Sequence, residues 1–174
     1  WKLISSIEFS LPVICVGNIT VGGTGKSPHI EYLIELLSPL YKVATLSRGY
    51  RRYTRGFKIA DFHSTSRDIG DEPFQFMSKY PQVTVCVAEE RMTAIPSLLQ
   101  LKPDTDLILL DDAFQHRTVR AGLNLLLTDF DRLYTKDFIM PFGLLREGRS
   151  GAKRAGMIIV SKCPENLSNR KSVV

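Results

Sequence analysis

Lys26 and Ser27 end a glycine-rich stretch, Gly17-Asn18-Ile19-Thr20-Val21-Gly22-Gly23-Thr24-Gly25-Lys26-Ser27, and two acidic pairs follow downstream, Asp71-Glu72 and Asp111-Asp112. A glycine loop, a lysine, a hydroxyl and paired carboxylates are the groups needed to handle a phosphorylated compound with a divalent cation. Gly22, Gly23 and Gly25 let the backbone turn its N–H groups inward around phosphate oxygens, through conformations a Cβ forbids. Lys26 can reach the β- and γ-phosphates and Ser27 can offer its hydroxyl to Mg²⁺. A helix starting there adds the positive end of its dipole. Thr20 to Ser27 is therefore the candidate phosphate-binding stretch.

The flanking elements fit that reading. Val13 to Val16 is a short apolar run bounded by Pro12 and Gly17, which predicts a buried strand. Ile30, Leu33, Ile34 and Leu37 recur at helical spacing, which predicts a helix over 28–38 with one buried face. Pro28 suits its first turn and Pro39 closes it. Strand, glycine loop, Lys-Ser and helix make the P-loop arrangement. The usual pattern has glycine where this chain has Thr20, but three glycines remain inside the loop.

Leu107 to Leu110 reads as a core strand running straight into Asp111-Asp112, the logic of a Walker B element. One carboxylate can hold Mg²⁺ through water while its neighbour polarises or positions a reactant. Adjacent carboxylates repel unless a cation or hydrogen bonds offset the cost; turn capping is the plainer alternative. Gln115 and His116 extend this cluster toward the same mouth. Read alone, Asp71-Glu72 caps a helix over 74–80 and complements its dipole.

Further strands are expected at 43–46, 57–60, 83–87, 123–128 and 157–160, and a helix over 89–101 with a kink or late start at Pro96. Trp1 to Leu11 shows no period and reads as a lead-in. Strands alternating with helices predict a three-layer α/β domain of the P-loop NTPase type, a mostly parallel sheet with helices on both faces. The loop Ser47 to Gly56 carries Arg48, Arg51, Arg52 and Arg55 between tyrosines, either as a solvated loop or as contacts for phosphate. Arg146, Arg149, Lys153 and Arg154 form a second basic cluster. After the last strand comes Ser161-Lys162-Cys163-Pro164. Pro164 stands where guanine-binding P-loop proteins place a base-reading aspartate, so ATP is the expected nucleotide.

The chain has 174 residues, enough for one domain, with ordinary apolar (44%) and charged (24%) fractions. A net charge of +5 points to an anionic partner. Cys15, Cys86 and Cys163 lie far apart without metal-ligand spacing, which fits a reducing compartment. No apolar run approaches the ~18 residues a membrane span needs. The chain starts at Trp1 rather than Met, so cropping of N-terminal sequence is expected, and Asn166 to Val174 is polar with no sign of domain closure.

Five motifs in order carry a family resemblance: Gly17 to Pro28, Ser47-Arg48-Gly49-Tyr50, Gly70-Asp71-Glu72-Pro73, Asp111-Asp112-Ala113-Phe114-Gln115-His116 and Leu145-Arg146-Glu147. Together they resemble the tetraacyldisaccharide 4'-kinases, the lipid A kinases of Gram-negative bacteria, over nearly the whole chain. That family's own loop reads Thr-Val-Gly-Gly-x-Gly-Lys-[ST], which accounts for Thr20. The resemblance implies transfer of the ATP γ-phosphoryl to the 4'-hydroxyl of a tetraacylated glucosamine disaccharide 1-phosphate, a lipid A precursor. It places the work peripherally, at the cytoplasmic face of the inner membrane. It implies that Lys26 and Ser27 bind ATP and Mg²⁺, with Asp111 and Asp112 near the metal and reaction centre. Asp71 matches the family's proposed base, which displaces the capping reading, and Arg48, His116 and Arg146 become contacts for the lipid phosphate or the transferred group. It further implies a C-terminal domain and an N-terminal membrane-associating helix outside this chain, which is then a fragment carrying the nucleotide-binding core. Two other readings are a switch ATPase of the partition or metal-insertion type and nucleic-acid binding through the Arg48–Arg55 loop. The first is disfavoured by Val21, where many such proteins place a lysine, and the second by the lack of any reader motif.

Overall fold

Every apolar run that predicts a strand is a strand in the computed structural model, which describes residues 6–165. The strands are β1 (Val13–Gly17), β2 (Val43–Ser47), β3 (Lys58–Ile59), β4 (Thr84–Val87), β5 (Leu107–Asp111), β6 (Leu123–Asp129) and β7 (Met157–Ser161). They form one sheet in the order β3-β4-β2-β5-β1-β6-β7. All neighbours pair in parallel except β3 with β4. The expected tail from Asn166 to Val174 lies outside the described residues.

The central strands are apolar on both faces because both faces are covered. Along β5, Leu107 and Leu109 join Ile30 and Ile34 of α1 (Lys26–Leu37) and Phe76 of α3 (Asp71–Lys79). Ile108 and Leu110 point the other way, onto Ala94, Ile95 and Leu98 of α4 (Arg91–Leu101). This alternation, period two on a strand sandwiched between helices, produces the three layers and confirms the α/β architecture.

Three local expectations are revised. The helix of α4 neither starts late nor breaks at Pro96; it runs continuously from Arg91 to Leu101. Packing of Ile95 and Leu98 against the sheet outweighs the lost backbone donor. A one-turn helix, α2 (Ser66–Ile69), appears where no period foretold one, closed by a Thr65–Asp68 capping box. Among the described residues the lead-in makes one bridge, Ile7 to Val119, too short to leave a pattern, and packs Phe9 and Leu11 against the core.

Because the sheet is parallel, the loops after β1, β2, β5, β6 and β7 all leave its C-terminal edge. The glycine loop, the Arg48 loop, the Asp111-Asp112 turn and the segment carrying Arg146 therefore meet there, as expected for ligand sites in open α/β sheets.

Candidate nucleotide and phosphoryl-transfer site

The loop after β1 is braced from within and from both sides. Asn18 is fully buried and donates from Nδ2 to Thr24 Oγ1 at 2.8 Å, tying the two ends of the loop together. Thr20 bridges Leu145, and Val21 N donates to Leu144 O at 2.7 Å. On the other flank Ser161 Oγ donates to Thr24 O at 2.8 Å. The side chains of Thr20 and Thr24 are thus buried, while Val21 is exposed. Gly25 sits at φ 81°, a left-handed position that lets α1 start at Lys26. Among the described residues, the N–H groups of Gly22, Gly23, Gly25, Lys26 and Ser27 meet no acceptor. A run of unpaired amides at a helix N-terminus is an anion-binding surface.

In front of this loop lies a cleft of about 620 Å³. Lys26, Asp71, Asp111 and Asp112 line it, and so do Arg48, His116 and Arg146. Lys26 Nζ is 3.6 Å from Asp112 Oδ1, and Arg146 Nη1 is 3.2 Å from Asp112 Oδ2. Asp112 therefore gathers two cations at the place where the amides converge. It sits at φ 46°, strained for a non-glycine residue. Ser27 enters the cluster indirectly, donating its hydroxyl to Glu72.

Asp111 is the electrostatic anomaly. Its carboxyl is 2% exposed and Oδ1 has no hydrogen-bond partner. Burial pushes its pKa up to about 7, the charges of Glu72 and Asp112 add to the rise, and Lys26 opposes it. A buried carboxylate oxygen without a donor, a serine hydroxyl and two neighbouring carboxylates form a hard oxygen set. Among the described residues no three His, Cys, Asp or Glu groups form a complete metal cage. That combination fits Mg²⁺, which usually takes one or two carboxylates and completes its shell with water and phosphate oxygens.

Asp71 and Glu72 open α3 and complement its dipole as read from sequence, but the N-cap position itself falls to Gly70, so capping is not what occupies Asp71. Its place is fixed by the backbone instead. A Cβ on Gly70, at φ 94°, would lie 3.1 Å from the Cα of Gly49, so the Arg48-Gly49 and Gly70-Asp71 corners touch directly. His116 is held below its ordinary pKa by burial, then by the charges of Arg91 and Arg48, so at neutral pH it offers hydrogen bonds rather than charge.

The two basic clusters divide under this geometry. Arg48 and Arg146 face the cleft, whereas Arg52 pairs with Glu89 at 2.7 Å and Arg154 with Glu147 at 2.7 Å. Arg149 donates to Asp137 O. Two site residues take parts in the cleft that the sequence did not suggest. Glu72 meets Ser27 across 45 positions, a contact no local pattern announces. Arg91 is 1% exposed and lines the cleft; its Nη1 donates to Ala88 O and Glu89 O at 3.1 Å, while Nε and Nη2 have no partner among the described residues.

The model of the tetraacyldisaccharide-1-P 4'-kinase family matches residues 1–173. The chain is 55% identical to the tetraacyldisaccharide 4'-kinase of Flavobacterium johnsoniae, over 97% of this chain and 50% of that one. It is 54% identical to the enzyme of the same name from Bacteroides fragilis, over 96% of this chain and 45% of the relative. It spans about half the length of the curated relatives it matches. The structure is similar to a crystal structure of LpxK from Aquifex aeolicus in complex with ATP, with a TM-score of 0.82 and 32% identity over 95% of this chain and 54% of that one.

Proposed function

The chain belongs to the tetraacyldisaccharide-1-phosphate 4'-kinase family, and from that premise we propose that it binds ATP and passes the γ-phosphoryl group to the 4'-hydroxyl of a tetraacylated disaccharide 1-phosphate. The supporting observation is the cleft itself. It brings Lys26, Arg146 and Asp112 into contact beside the buried Asp111, with Asp71 on the same wall.

In this reading the amides of Gly22 to Ser27 take the phosphate oxygens. Lys26 and Arg146, now held by Asp112, turn to the γ-phosphate and stabilise its charge as the bond to the leaving ADP lengthens. Asp111, with Ser27 and Asp112 beside it, would hold Mg²⁺, which would neutralise charge on the transferring phosphate. Asp71 orients the sugar hydroxyl and accepts its proton as the new P–O bond forms. An aspartate is a feeble base, but a loose transition state asks for little early proton removal, so orientation is its larger contribution. Glu72 holds the Ser27 hydroxyl in place. Arg48, His116 and the unpartnered guanidinium N–H groups of Arg91 form the wall left for the anionic sugar phosphate. No helix among the described residues is long and apolar enough to cross a membrane, and we place the work peripherally, at the cytoplasmic face of the inner membrane.

Transfer of radiolabelled phosphate from ATP to the disaccharide lipid tests the proposal. Asp71→Ala should lower turnover about 10²–10⁴-fold while ATP binding persists. Near-normal turnover would remove Asp71 from the reaction.

A further inference from the structure

The segment between β6 and β7 contains an apolar tip that the chemistry above does not use. Phe138 (62% exposed), Ile139 (53%), Met140 (52%) and Phe142 (91%) lie together with Pro141 and Gly143, six consecutive residues without a polar side chain. An apolar hollow of about 420 Å³ opens between Phe138, Phe142 and Leu145. Exposing this much contiguous apolar surface costs solvation free energy and marks a contact site.

The tip is built, not slack. Asp137 Oδ1 accepts from Phe138 N at 2.8 Å and Leu144 N at 3.1 Å, and Arg149 holds the Asp137 carbonyl from Nε and Nη2. Met140 N donates to Leu145 O and Phe142 N to Ile139 O, closing the turn on itself. The side chains at its base are cationic. From Asp131 to Arg154 six Lys and Arg residues outnumber three carboxylates, and Arg132, Lys136 and Arg149 are exposed beside the tip. An apolar tip over a basic collar matches the interface of an anionic bilayer, acyl chains beyond and phosphates around the rim. The segment also leaves the sheet edge that carries the cleft, and through Leu144 and Leu145 it is bonded to the glycine loop.

We propose that the Phe138–Phe142 tip inserts into an anionic phospholipid surface and seats the cleft against it. Resting on the lipid-kinase reading above, this gives the acylated substrate a short path from bilayer to Asp71, with its chains still in the membrane.

Sedimentation with phosphatidylcholine vesicles, with and without phosphatidylglycerol, is the test. Phe142→Asp should weaken binding of the chain to the anionic vesicles about tenfold, as expected for one withdrawn phenylalanine. Because Phe142 is almost wholly exposed, the fold should be untouched, which circular dichroism checks. Arg132→Gln with Lys136→Gln should remove most of the preference for phosphatidylglycerol. In a Phe142→Trp chain, acyl-brominated lipids should quench a blue-shifted emission absent from the parent, whose sole tryptophan is Trp1. Parent-like binding by Phe142→Asp, or an unquenched Phe142→Trp, overturns the inference. So does loss of self-association with vesicle binding unchanged, which assigns the tip to a second copy of the chain. Phosphoryl transfer in detergent micelles separates the two proposals. A Phe142→Asp chain active in micelles but released from vesicles supports both. A chain that binds vesicles through the tip yet transfers no phosphate keeps this inference and sinks the kinase reading.

Discussion

Asp111 and Asp137 are both buried aspartates, yet their carboxyls are driven in opposite directions. Asp111, at the end of β5, is pushed up to about 7 by burial and by Glu72 and Asp112. At Asp137, in the β6–β7 connection, burial again opposes ionisation, but backbone N–H donors from Phe138 and Leu144 overcome it and hold the group below the usual carboxylate range. Depth and donors both differ: Asp111 is the more enclosed of the two (2% against 8% exposed), and Asp137 accepts from two backbone N–H groups. Asp137 has them because its loop curls around it, and it behaves as a structural pin. Among the described residues each aspartate keeps one oxygen without a hydrogen bond, but Asp137 Oδ2 has Arg132 at 3.7 Å, whereas Asp111 faces Glu72 and Asp112 and remains in want of a cation.

The contrast can be broken at several levels. The largest effect should come from Asp111→Asn, which ought to lower phosphoryl transfer about 10³-fold at saturating ATP, whereas Asp137→Asn should leave the chemical step nearly intact. Stability against pH comes next. With its folded pKa above the ordinary 3.8, Asp111 makes the metal-free protein less stable as pH rises from about 4 to about 7. The loss is up to roughly 4 kcal/mol. Urea midpoints across that range should show the slope in the parent and lose it in Asp111→Asn. Asp137 acts with the opposite sign: its contribution is present above the ordinary carboxylate range and disappears as pH falls below it. Asp137→Ala, which strands two backbone donors, should cost about 2 kcal/mol at neutral pH by the same measurement. Smallest of all, Arg132→Gln should cost under about 0.5 kcal/mol, because its guanidinium is exposed and 3.7 Å from Asp137. A larger loss would mean that the arginine, not the backbone, holds that carboxylate down.

What the sequence conveyed and what it hid follow the same division. Buried parallel strands write themselves as short apolar runs, so all seven were legible, and α1 showed its Ile30–Ile34 face. The glycine loop and the Asp111-Asp112 turn were legible because phosphate and metal chemistry need particular residue types side by side. Glu72 was seen as half of a helix-opening pair, but its bond to Ser27 depends on α3 lying along α1, a tertiary fact. Arg91 looked like any first-turn arginine; only the closing of the cleft over it makes it a buried cation. The basic clusters misled for a related reason. Sequence counts charges, and only the fold decides that Arg52 and Arg154 are spent on Glu89 and Glu147 outside the site, while Arg48 lines the cleft and Arg146 meets Asp112 inside it.

The touching corners at Gly49 and Gly70 have one more consequence. They pinch off the excursion from Tyr50 to Ile69 like the neck of a bag. Lengthening or trimming its outer rim, around the exposed Phe62 and His63, alters the bag without moving the neck. A reporter peptide grafted at that rim would report on the cleft from close by while leaving Arg48 and Asp71 where the pinch sets them.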